Sequence, residues 1–141
     1  MVSKIMSKII KQVLLTICAS YALLTNAAPG NETGQEEIIN VGLVLYTKSQ
    51  TPGTLNASWI YSTQYRGPGI AIGGPAEGYS GVYQVRYFRE DGSHPEEYEL
   101  HIEKVGSIYQ VDWLLDGQRL ITGVGMETAE GLAVGWRQVA D

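Results

Sequence analysis

Between Ile38 and Val139 the chain breaks into eight short segments of alternating character, separated by glycine-containing turns, and this rhythm restricts it to an all-β fold. The clearest segment is Glu97-Tyr98-Glu99-Leu100-His101-Ile102-Glu103, where polar and apolar residues exchange strictly. Successive side chains of a strand point to opposite faces, so Tyr98, Leu100 and Ile102 share one face and the acids the other. No helical period separates the segments. Strands that recur at this spacing predict an antiparallel eight-stranded up-and-down meander barrel, with a β-sandwich as the alternative.

The segments are Ile38–Tyr46, Thr54–Ser62, residues 67–74, Gly81–Arg89, Glu97–Glu103, Tyr109–Leu115, Gln118–Met126 and Leu132–Val139. Asp116-Gly117 is the strongest turn signal, a two-residue pair of type I′ character between alternating runs. The third segment is glycine-rich, and glycine within a strand marks a bend or a close backbone approach. Gly69-Ile70-Ala71-Ile72 followed by Pro75-Ala76-Glu77-Gly78 is echoed by Gly123-Val124-Gly125-Met126 followed by Thr128-Ala129-Glu130-Gly131, as two half-repeats of a barrel would be.

The first 27 residues read differently. Lys4, Lys8 and Lys11 precede an apolar run from Val13 to Leu24, and Thr25-Asn26-Ala27 supplies small residues for cleavage after Ala27 or Ala28. That pattern predicts a signal peptide over 1–27 and a secreted or periplasmic protein; a retained anchor is the alternative. Ile17 before Cys18 argues against a lipoprotein signal, which wants a small residue there. Residues 28–37 are polar and turn-rich and read as a disordered leader, which leaves 38–141 as one β-barrel domain.

Loss of the three signal lysines lowers the formal charge from −5 to about −8. Such an acidic domain repels phosphate backbones and anionic lipid, which excludes nucleic acid as an expected partner and, once the signal is cleaved, stable membrane insertion. The chain's one cysteine lies in the signal, so the exported domain is held by its core without disulfides.

No catalytic motif stands out: the chain has no Gly-x-Ser-x-Gly elbow, His-Glu-x-x-His or Walker loop, and Gly123-Val124-Gly125 leads into no helix. His101 shares a strand face with Glu99 and Glu103, and His94 lies near Glu96, but zinc sites recruit more His or Cys than this. The reading is therefore non-enzymatic, with no cofactor and no metal.

What the proposed inner faces hold in quantity is aromatic rings. Trp59, Tyr61, Tyr83, Tyr87, Tyr98, Tyr109, Trp113 and Trp136 all fall on them. They can form a solid core of large residues, or the wall of a ligand cavity that satisfies their polar tips. An eight-stranded barrel is wide enough for either. The candidate ligand-binding residues are Trp59, Tyr83, Tyr98, Tyr109, Trp113 and Trp136, for a small apolar ligand. The alternative is a protein partner in the cell envelope, met through loops or a sheet edge.

Gly81-Val82-Tyr83-Gln84-Val85, Gly106-Ser107-Ile108-Tyr109-Gln110-Val111-Asp112-Trp113, and Gly123-Val124-Gly125 leading to Leu132-Ala133-Val134-Gly135-Trp136 carry a resemblance. In that order the motifs resemble small exported bacterial β-barrel domains, some labelled fibronectin-binding-like. The overall form is similar to the calycin group, the lipocalins and avidin-like proteins. The resemblance implies a barrel with a concave interior. It carries no binding residue over, because the lipocalin Gly-x-Trp of strand one and the biotin-loop residues are missing here.

Overall fold

In the computed structural model, which describes residues 37–139, eight antiparallel strands close into a barrel in simple sequential order. They are β1 (Gly42–Lys48), β2 (Leu55–Tyr61), β3 (Tyr65–Ile72), β4 (Gly81–Tyr87), β5 (Glu96–Val105), β6 (Ile108–Leu115), β7 (Gln118–Glu127) and β8 (Leu132–Gln138). No helix occurs among the described residues. The barrel replaces the sandwich alternative, since β1 pairs with β8 from Gly42↔Trp136 to Tyr46↔Leu132. The expected signal peptide and nearly all of the leader lie outside the described residues.

Local chemistry sets the element ends. Asp116 and Gly117 both take positive φ, at 51° and 78°, the pairing a type I′ hairpin turn demands. The first strand starts at Gly42 and not at the expected Ile38. Asn40 sits at φ 53°, which breaks the extended run, and Ile38 and Ile39 are exposed before it. The third strand lies two residues earlier than expected because Gly73, at φ 89°, ends it.

Inward residues change in kind along the barrel axis. At the end where Lys48, Leu55 and Leu132 meet, the interior is filled by Tyr46, Leu55, Ala71, Tyr83, Leu100, Ile102, Tyr109, Val111, Leu132 and Val134, all buried. Toward the other end the same strands carry Trp59, Tyr61, Tyr87, Tyr98 and Trp136, which are only half-buried. The barrel is packed solid at one end and hollow at the other. Strict alternation would put Leu115 on the inner face with Trp113, but it is exposed; it lies beyond a register shift between Trp113 and Leu114, at the hairpin tip past the core.

Candidate functional site: an aromatic cup at the open end

The hollow end forms a cavity of about 280 Å³, near the lower limit of small-molecule pockets. Trp113 makes its floor with Val44 and Tyr87. Trp59, Tyr61, Tyr98, Ile121 and Trp136 form the wall, and Tyr65, Arg89, His94, Glu96 and Gln138 the rim. On one side three rings stand in series. Tyr61 stacks on Trp136 at 5.4 Å between centroids and 14° between planes, and Tyr65 lies 6.4 Å beyond Tyr61. On the other, Tyr87 meets Trp59 edge-on at 6.5 Å and Tyr98 at 6.4 Å.

Small residues opposite the rings make this possible. A Cβ on Gly42 would collide with the Trp136 indole, and one on Gly69 would lie 2.6 Å from the Tyr87 ring. The glycines of β1 and β3 therefore give the aromatic side chains the space in which they stand.

The β3–β4 wall is incomplete near the mouth, where pairing covers only Gly69–Ile72 against Gln84–Tyr87. The segment after β4 closes it. Phe88 N donates to Pro68 O at 2.9 Å, and Trp59 Nε1 donates to both Pro68 O and Phe88 O, at 3.2 and 3.1 Å. Beyond Phe88, Gly92 N donates to Arg89 O at 2.8 Å and Arg89 N to Ser93 O at 3.0 Å, a tight turn that holds Arg89 and His94 at the rim. The Arg89 guanidinium lies 4.7 Å from the Tyr65 ring centroid, a cation–π contact. Tyr98 Oη donates to Glu96 Oε2 at 3.1 Å and fixes that carboxylate beside the opening.

At the floor, Trp113 Nε1 donates to Tyr87 Oη at 2.7 Å, and Tyr87 Oη in turn contacts Tyr46 Oη. Burial raises the Tyr46 and Tyr87 hydroxyls well above the ordinary phenol value, so both stay protonated.

Four of the six expected site residues, Trp59, Tyr98, Trp113 and Trp136, come together around this cavity. Tyr83 and Tyr109 do not. They lie in the packed end, where Tyr83 Oη donates to Tyr79 O at 2.8 Å and Tyr109 Oη donates to Glu127. Their polar tips reach groups at the closed end of the barrel, so they fill core without needing a cavity. Tyr61 and Tyr87 join the four from the inner faces that alternation predicts, Tyr65 and Arg89 carry no sequence signal beyond their position near turns, and His94 and Glu96, weighed in the sequence only as metal ligands, stand at the rim. His101 is paired with Glu99 at 2.5 Å on the outer wall, away from the cup.

Compared with protein-family models, with curated proteins and with solved structures, the chain finds no match in any of the three.

Proposed function

We propose that the protein is an exported, non-enzymatic binding module that holds a small, mostly apolar ligand in the cup. One observation carries the reading: seven aromatic rings surround a space left open at one end of a barrel whose other end is filled. A chain selected for stability alone gains by filling such a space, because each void forfeits contact energy. Trp59, Tyr61, Tyr98 and Trp136 would surround the ligand from the wall, and Trp113 would stop it. The calycin-like form supports the same reading at the level of architecture.

Titration with an apolar fluorescent probe tests it. Saturable, stoichiometric binding that quenches tryptophan emission is the expected result, because Trp59, Trp113 and Trp136 all line the cavity. Weak binding that never saturates would refute it.

A second reading draws support from the outer wall. Pairing aligns Ile60 with Leu43, Leu43 with Gly135 and Gly135 with Val124, while Met126 lies opposite Ala133. Leu43, Ile60, Val124 and Met126 are all exposed, which gives an apolar stripe across β2, β1, β8 and β7. Closure of the barrel leaves no sheet edge among the described strands, so a protein partner would meet this wall or the loops. Partner binding that survives blockage of the cup would favour this alternative.

A further inference from the structure

The hydrogen bonds at the cup floor do not use every available hydrogen. Trp113 Nε1–H, Tyr46 Oη–H and Tyr87 Oη–H are three donors, and the acceptors they share are the two phenol oxygens. Indole can only donate, so its contact with Tyr87 runs from Trp113 to Tyr87. The contact between the two phenols can run either way. If Tyr87 donated to Tyr46, the Tyr46 hydrogen would be stranded: that side chain is 0 % exposed, and besides Tyr87 its hydroxyl meets, among the described residues, only the Trp113 indole, which donates and cannot accept. A buried unmatched donor is the expensive outcome, whereas Tyr87 lines the cavity. Tyr46 therefore donates to Tyr87, whose oxygen receives two hydrogens and whose own hydrogen is left for the cavity.

Building on the cup as the ligand site, we infer that the Tyr87 hydroxyl is a specificity-determining donor and that the ligand is a flat, apolar molecule ending in a neutral carbonyl oxygen. The floor shows why the acceptor is neutral. Around Tyr87 stand Trp113, Val44, Trp59 and Tyr98, with no cation among them, and Arg89 is held at the rim against Tyr65. A carboxylate driven to the floor would be buried without a counter-charge. A ketone, quinone or lactone oxygen takes one hydrogen bond and asks for nothing more. The stacked Tyr61 and Trp136 rings favour a planar body behind it. High phenol pKa values keep the donor in place throughout the physiological range.

An isosteric pair of probes separates this inference from the reading beneath it. 2-Acetylnaphthalene carries the carbonyl, and 2-isopropenylnaphthalene has nearly the same shape with a methylene in its place. Both are titrated by tryptophan quenching into wild type, Tyr87→Phe and Tyr46→Phe. Wild type should bind the ketone about ten-fold more tightly than the alkene. Tyr87→Phe should bring the two within about two-fold, and Tyr46→Phe should leave the preference intact, because Tyr46 only donates into Tyr87. Should Tyr87→Phe fail to fold, the carbonyl stretch of the bound ketone in wild type decides: a frequency below its value in hexane supports the hydrogen bond, and an unshifted one overturns it. Equal binding of the pair to wild type overturns the carbonyl inference and leaves the cup standing. A preference that grows in Tyr46→Phe shows that Tyr87 had donated to Tyr46, and overturns the assignment. If neither probe saturates, the cup itself falls, and this inference with it.

Discussion

Trp113 joins the two halves of the barrel, and Trp113→Ala measures how firmly. The indole is 2 % exposed and is the largest fully buried side chain among the described residues. A buried aromatic of this size removes about 200 Å² from water, or about 5 kcal/mol at 25 cal/mol per Å². The full loss is not expected. Its upper side faces the cup, so the vacated space joins a cavity that water can enter, and the penalty for an empty void is reduced. The Tyr87 oxygen loses its indole donor but can take a hydrogen from that same water. The net cost should fall at the lower end of aromatic truncations, about 3 kcal/mol, which lowers Tm by about 12–20 °C. Urea unfolding followed by circular dichroism gives the value, with Glu99→Ala as the control. Glu99 lies on the outer wall with its side chain 47 % exposed, and its removal should cost no more than about 0.5 kcal/mol. Equal costs at the two positions would refute the inward and outward assignment on which the cup depends.

Gly42→Val should push Trp136 out of its stack on Tyr61 and abolish saturable probe binding, while a valine at exposed Gly135, where no atom lies within 4 Å of an added Cβ, should leave it intact; loss at both or neither would contradict the wall geometry. Burial and the Glu96 carboxylate push the Tyr98 hydroxyl up to about 12, and burial with Glu127 does the same for Tyr109. Because the folded state keeps these protons where the unfolded chain has begun to lose them, their contribution to stability is complete below about pH 10 and declines from there to about pH 12. Chemical denaturation midpoints should therefore fall across that window, with phenolate absorbance lagging that of the unfolded chain, and a flat midpoint would contradict the burial. Protein recovered from its producing cell should begin near Ala28 or Pro29; N-terminal sequencing that returned residues 1–20 would overturn the cleaved signal.

Strand alternation was legible because burial on one face is a local constraint: Leu100 and Ile102 are buried, while Glu97, Glu99 and Glu103 on the alternate positions are exposed. The same signal tells inside from outside but not height along the axis. Height depends on strand tilt and on the stagger of all eight strands, which no single segment encodes. Tyr83 and Tyr87 show the difference. They share a strand and a face four residues apart, yet one ends in the packed end and the other in the cup. Arg89 and His94 were illegible for another reason. They are placed by the Phe88–Ser93 backbone turn and by the Trp59 indole, which lies 29 residues from Phe88 in sequence. The half-repeat is only partly carried into geometry. Its two copies do occupy the β3–β4 and β7–β8 hairpins, but the first connection is longer and Gly78 takes φ 68°.

Seven of the eight strand pairings join neighbours in the chain, and β1 with β8 is the exception. That seam gives the assembly an order in time. Hairpins can form one after another at small loop-closure cost, whereas the seam must wait for the chain's two ends to meet. The Asn40 side chain fastens it by accepting from Gln138 N at 2.6 Å, and the Trp136 ring is laid over Gly42 across the same join. Until the last strand docks, the wall formed by Trp136 is missing and the interior is a trough open along its length. The cup is thereby tied to completion of folding: a partly folded chain has most of the aromatic rings and no enclosed space between them.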